Sequence, residues 1–170
     1  MQKHKHFFEE FTGKSADSFI ELPRSGSSRI NYIGSFENGK FVITYNENNR
    51  ENEAFFYFSE LFQSLELNTP KVSKTNDNRD LYVQEFLGNQ TLSEVISEEG
   101  LSDRVKILVK KSLKQLFELQ SKTLGKVDFR NSFEYESYDD LPITHDLYYF
   151  KNFMIDVLEL EYHKSTLLKE

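Results

Sequence analysis

The sequence contains no cysteine and no tryptophan, and no apolar run approaches the ~20 residues that a membrane-spanning helix needs. The absence of cysteine excludes disulfide bridges and thiolate metal sites. The first seven residues include charged Lys3 and Lys5, and no apolar region with a small-residue cleavage site follows them, as it would in a secretory signal peptide. We therefore expect a cytoplasmic protein without a membrane partner.

Positive charge is also in short supply, with 21 Lys and Arg against 28 Asp and Glu and a formal net charge of −7. Nucleic-acid backbones are held by Lys and Arg surfaces, so we do not expect a nucleic-acid partner. A nucleotide needs only a local cluster of donors and stays compatible with this balance. The length of 170 residues suits one domain or two small lobes.

Alternation of apolar and polar residues predicts five short strands in the first half of the chain. They are residues 19–22, 30–34, 41–45, 71–73 and 80–84. Asn38-Gly39 predicts a two-residue hairpin turn between the second strand and the third, which places Lys40 in the turn. A leading helix is predicted over residues 4–12, with Gly13 as its C-cap.

A long helix is predicted over residues 51–66, between the third strand and the fourth. Its apolar stripe should be buried against the sheet and includes Phe55, Phe58, Phe62 and Leu65. After Gly88 the pattern becomes helical, with a helix capped by Ser102 and a last one marked by Leu147 and Met154. The predicted class is α+β, with an N-terminal lobe over residues 1–87 and a helical lobe over residues 88–170.

The connection between the first two strands has the composition of a phosphate-binding loop. It reads Ser25, Gly26, Ser27, Ser28 and Arg29. Small residues let backbone N–H groups approach an anion, hydroxyls add donors, and Arg29 adds charge-assisted bonds to phosphate oxygens. Taken alone, the same composition also fits an ordinary Ser/Gly turn.

Several segments resemble bacterial phosphotransferases related to aminoglycoside and choline kinases, closest to those that act on cell-wall amino sugars. The first similar segment is Leu22-Pro23-Arg24 with the loop that follows it and with Tyr32. The second is Tyr45-Asn46-Glu47 together with Glu51-Asn52 and Ala54-Phe55. The others are Thr69-Pro70, residues 82–88 with Thr91-Leu92, and residues 146–151. The resemblance implies the small lobe of a protein-kinase-like fold, namely a five-stranded antiparallel sheet with one long helix. The first helices of the large lobe would follow it.

The same resemblance implies an ATP site, with Mg²⁺, in the full-length parent protein. The loop would hold the phosphates, and a hinge would face the adenine. The hinge residues are Gln84, Glu85, Phe86 and Leu87. The phosphate acceptor would be a small hydroxylated molecule, such as a sugar or an amino sugar.

Kinases of this fold place a Lys on the third strand and pair it with a Glu on the following helix. The predicted third strand, Phe41-Val42-Ile43-Thr44-Tyr45, has no Lys. Glu51 and Glu53 are candidates for the helix acid. Without the Lys, both acids also fit a structural role at the positive end of the helix dipole.

The catalytic loop of the family, His-x-Asp with Asn five residues later, is missing from the sequence. Asn152 follows Asp146 by six residues across apolar aromatics, and Thr144-His145-Asp146 instead predicts the start of a helix. We therefore predict no catalytic residue and no metal ligand in this chain, and no tightly bound cofactor. The expectation is an N-terminal fragment of a phosphotransferase, inactive by itself.

Two other interpretations stay open. The chain could be a non-catalytic nucleotide-binding or protein-interaction module, in which the missing third-strand Lys is a real loss. It could also be an α+β domain with an unrelated role.

Overall fold

The computed structural model describes residues 1–24, 28–37, 39–137 and 139–163, in two compact units, Met1–Val127 and Asp128–Glu170. In chain order, the first unit contains α1 (Gln2–Thr12), β1 (Ser18–Glu21), β2 (Ile30–Phe36), β3 (Gly39–Tyr45), α2 (Asn49–Ser64), β4 (Val72–Thr75), β5 (Leu81–Glu85), α3 (Leu92–Glu99) and α4 (Asp103–Thr123). The second unit contains a 3₁₀ turn (Phe129–Asn131), α5 (Asp140–Phe150) and a π-helical turn (Lys151–Ile155).

The strands form one antiparallel sheet in the order β1-β2-β3-β5-β4, and α2 connects β3 to β4. The predicted α+β class and the five-stranded antiparallel sheet are confirmed. The expected lobe boundary at residues 87–88 falls inside the first unit, where strand gives way to helix, and it stays a prediction.

Helix α1 covers one face of the sheet through aromatic side chains. Phe8 is fully buried, and its ring centroid lies 6.1 Å from that of Phe19 and 5.9 Å from that of Phe41. A Cβ atom on Gly34 would lie 2.7 Å from the Phe8 ring, so only glycine lets the helix approach this closely. The predicted C-cap of the helix is confirmed, because Gly13 adopts a φ of 73° and its N–H donates to the Glu9 carbonyl.

Helix α2 covers part of the opposite face, but through a different line of residues from the predicted stripe. Its buried residues are Asn52, Ala54, Phe56 and Ser59, whereas Phe55, Phe58, Phe62 and Leu65 are only half-buried. The Phe56 ring meets Tyr82 of β5 edge-on at 5.1 Å. Hydrogen bonds from Asn52 to the backbone of Asn46 and Arg79 fix the rotation of the helix, which apolar periodicity alone does not specify.

The start of β3 also differs from the prediction. Gly39 pairs with Phe36 and is the first residue of β3, so Gly39 and Lys40 belong to the strand and not to the turn. Glu37 occupies the turn with a φ of 51°, and Asn38 lies outside the described residues.

Helix α4 is capped by Ser102, as predicted, and Val105 is its buried residue. Three other apolar residues of α4, Leu113, Leu116 and Phe117, are more than half exposed. Asn68, in the connection from α2 to β4, donates to Gln115 of α4.

In the second unit, α5 begins at Asp140, because the Asp139 side chain accepts a bond from the Leu141 N–H. The predicted helix start at residues 144–146 is therefore wrong, and these residues lie inside α5. In the described part of the chain, no helix combines the length and the apolar composition that a membrane crossing requires.

We predict that Phe56→Ala destabilises the fold by about 3–5 kcal/mol, because it removes a nearly buried ring from the contact between α2 and the sheet. Phe58→Ala, on the same helix but half-buried, should cost about 1–2 kcal/mol. Urea unfolding followed by circular dichroism measures both variants. Equal losses would contradict the rotation of α2 described above.

A second prediction concerns pH and His4, whose ring stacks on Tyr45 at 4.7 Å and whose Nδ1 lies 3.0 Å from the Tyr32 hydroxyl. Burial lowers the pKa of this imidazole below its ordinary value of 6.5. The resulting contribution to stability is complete above the pKa that His4 has in the unfolded chain. It is lost as the pH falls through the lower pKa that His4 has in the folded protein. When the pH is lowered from about 8 to about 5.5, the free energy of unfolding should fall more for the unsubstituted chain than for His4→Gln. The prediction is wrong if the two proteins show the same pH dependence in urea unfolding.

Candidate functional site

An apolar strip lies on the face of the sheet opposite α1. The pairing register places Ile20, Ile33, Val42 and Gln84 in one row across β1, β2, β3 and β5. Ile20 is 59% exposed, and Ile33 and Val42 are half-buried. The strip is therefore most open to solvent at its β1 end.

A row of polar side chains adjoins the strip on the same face. Thr44 Oγ1 donates to Asn31 Oδ1 at 2.8 Å and accepts from Gln84 Nε2 at 3.3 Å. Thr44 is only 1% exposed. Its hydroxyl is therefore engaged within the sheet.

Beyond β3, two buried asparagines join three segments of the chain. Asn52 donates through Nδ2 to the carbonyls of Asn46 (2.8 Å) and Arg79 (2.9 Å), and its Oδ1 accepts from Asn46 Nδ2 (3.1 Å). Asn46 Oδ1 accepts the Asn48 N–H. The pair fixes the end of β3, the first turns of α2 and the approach to β5 relative to one another.

The two candidate helix acids occupy different environments. Glu51 Oε1 accepts from Arg29 at 2.5 Å and Glu51 Oε2 accepts from Asn46 Nδ2 at 2.8 Å. Glu53 instead forms a two-bond ion pair with Arg79 in a more exposed position. Only Glu51 is thus joined to a residue of the predicted phosphate loop, and Glu53 has a structural partner.

Tyr82 lies near the Arg29–Glu51 ion pair. Burial raises the pKa of its hydroxyl, the positive charge of Arg29 opposes that shift, and the negative charge of Glu51 adds to it. Both charges therefore act on the polar part of this face.

Of the predicted phosphate loop, Ser25, Gly26 and Ser27 lie outside the described residues. Ser28 is exposed and lines a cavity of about 500 Å³ at the end of the sheet. The other lining residues are Arg24, Ile30, Tyr45, Glu47 and Asn48. Ile30 and Tyr45 pair with each other, and strand alternation places both side chains on the α1 face. The apolar strip is on the opposite face, so the cavity is separate from it.

The predicted hinge divides into two parts. Gln84 and Glu85 belong to β5, and the Glu85 N–H already donates to the Lys71 carbonyl at 3.0 Å. Phe86 and Leu87 follow the strand, with Leu87 70% exposed. The backbone of these last two residues is the part of the hinge that lies outside the sheet.

The Asn46–Asn52 pair was missed as a feature of the site by reasoning from the sequence. All seven residues from 46 to 52 are polar, and such a run is typical of a solvated loop. The local structural signal in this run is the N-cap, where Asn48 Oδ1 accepts the Glu51 N–H. That signal marks the helix start but not the burial of its neighbours.

No protein-family model matches this sequence, and no curated protein is significantly similar to it. Among the described residues, no group of three or more His, Asp or Glu side chains is arranged to hold a metal ion.

We predict that Asn52→Ala destabilises the fold by about 2–4 kcal/mol, because two buried carbonyls lose their donor. Asn49→Ala is the matched control, since Asn49 is exposed on the same helix and donates one bond to the Asn78 carbonyl. It should cost less than about 1 kcal/mol. Thermal and urea unfolding distinguish the two, and a similar cost for both would show that the buried pair adds nothing special.

Proposed function

We propose that this chain is the nucleotide-binding part of an ATP-dependent small-molecule phosphotransferase with a protein-kinase-like fold. The phosphate acceptor of the full protein would be a small hydroxylated compound such as a sugar or an amino sugar. The observation that carries the proposal is the ion pair between Arg29 of the candidate phosphate loop and Glu51 of α2. It joins a cation to a helix acid, as in kinases, but the cation comes from the residue before β2 and not from a lysine on the third strand.

The order of the elements supports the same proposal. Two strands joined by a Ser/Gly loop are followed by a third strand, a long helix, two further strands and then helices. The resemblance implies this order for the small lobe of a kinase. The segment after β5, half-buried Phe86 and exposed Leu87, would supply the hinge.

In this proposal the adenine rests on the apolar strip of Ile20, Ile33 and Val42. Phe86 and Leu87 offer backbone donors and acceptors at one end of the strip, and the phosphates extend towards the loop and Arg29. Mg²⁺ bound with ATP would neutralise charge on the phosphate oxygens. The residues of this chain would bind and orient the nucleotide.

A non-catalytic nucleotide-binding module is the second candidate. It is favoured by the lack of a lysine beside Glu51 on β3, where Thr44 is bonded to Asn31 and Gln84 instead. Both candidates share the binding step and differ in phosphoryl transfer.

We predict that the chain binds ATP and that Ile20→Asp weakens the binding at least about tenfold, because a carboxylate on the strip would oppose both stacking and the negative phosphates. Glu21→Ala is the matched control, because Glu21 is the next residue of β1 and faces the other side of the sheet. Calorimetry or NMR titration at millimolar nucleotide measures the affinities.

The same samples, supplied with a panel of sugars, should form no ADP. The proposal is contradicted if ATP does not bind, or if Ile20→Asp and Glu21→Ala have equal effects. Enzyme-dependent ADP formation would show that catalytic groups exist which the sequence does not reveal.

A further inference from the structure

Arg29 is held in place by a carboxylate that is itself held from two sides. Its Nη2 donates to Glu51 Oε1 at 2.5 Å, while Asn46 Nδ2 binds Glu51 Oε2. The Glu51 N–H donates to Asn48 Oδ1 at 3.2 Å. The acid thus has little freedom to move, and the guanidinium is fixed with it.

Arg29 also has hydrogen-bonding capacity left. Its Nε is buried, and no described residue accepts a bond from it. A guanidinium carries five N–H donors in a planar fork that matches phosphate oxygens. The stretch directly before it, residues 25–28, consists of serine and glycine.

The third strand supplies no cation next to Glu51. Thr44 is buried with its hydroxyl bonded to Asn31 and Gln84. Lys40 lies at the other end of β3, where its Nζ is 5.7 Å from the centre of the Phe86 ring. Arg29 precedes Ile30, which pairs with Tyr45, so β2 brings its cation to the end of β3 where α2 begins.

We propose that Arg29, oriented by Glu51, binds the phosphates of the nucleotide and takes the role that a third-strand lysine has in kinases. This inference rests on the proposed function, and it gives the phosphate site a cation from the residue that precedes β2 instead of from β3. Arg29 contacts the ligand, and Glu51 is a positioning residue that acts through Arg29.

The sign of the Glu51 effect separates this proposal from a simpler one. A carboxylate that merely lies near the phosphates repels them, so removing its charge would strengthen ATP binding. A carboxylate that orients the phosphate-binding guanidinium has the opposite effect, and its removal weakens ATP binding. Glu53 is the matched control, because it also pairs with an arginine of the first unit and lies two residues further along α2.

The test is NMR of the ¹⁵N-labelled chain, with the Arg29 Nε–Hε signal assigned by its loss in Arg29→Lys. The chain is titrated with ATP, with tripolyphosphate and with adenosine. We expect ATP and tripolyphosphate to shift this signal and adenosine to leave it unchanged. Only the unsubstituted chain is titrated in this measurement, so its result does not depend on how well any variant binds.

Affinities from the same titrations give the second readout. Arg29→Gln should weaken ATP binding about tenfold to a hundredfold and leave adenosine binding unchanged, and Arg29→Lys should retain part of the affinity. Glu51→Gln should weaken ATP binding about tenfold, and Glu53→Gln should not change it.

The outcomes separate the two levels of the proposal. If adenosine and ATP bind but the Arg29 signal does not move, or Glu51→Gln strengthens ATP binding, the role of this pair is overturned and the proposed function stands. If neither adenosine nor ATP binds the parent chain, both are overturned.

Discussion

The reciprocal hydrogen bonding of Asn46 and Asn52 is the constraint on which the arrangement of the first unit depends. Both side chains are essentially inaccessible, and each is satisfied by the other and by backbone carbonyls or carboxylate. A buried amide is stabilising only when its partners are in place. The pair therefore sets the rotation of α2, and through that rotation the position of Glu51.

Two acids in the first turns of α2, Glu51 and Glu53, pair with different arginines in different environments. Glu51 points to the end of β2 and meets a partly buried Arg29, whereas Glu53 meets Arg79, whose guanidinium also lies over the Phe56 ring at 4.7 Å. The exposed pair adds little to stability at the surface. The partly buried pair of Glu51 and Arg29 holds the Arg29 guanidinium beside the polar side chains on the α2 face of the sheet.

The sequence predicted the strands and the long helix because their patterns are local. Strand alternation, the Ser102 cap and Gly13 each act over a few residues, and all three are present in the structure. The buried line through Phe56 was not predictable from periodicity, because α2 carries apolar residues on most of its sides. The side of α2 that faces the sheet is selected by the hydrogen bond from Asn52 to the Arg79 carbonyl, which is distant in the sequence. Because Asn52 lies in a run of polar residues, the sequence gives no sign of this bond.

The contact between Gly34 and Phe8 links two positions that are far apart in the chain. Because the Phe8 ring occupies the space of a side chain at position 34, any larger residue there requires a smaller one at position 8. Relatives of this protein should therefore show the two positions changing together. A glycine on the second strand should then occur together with an aromatic residue on the leading helix.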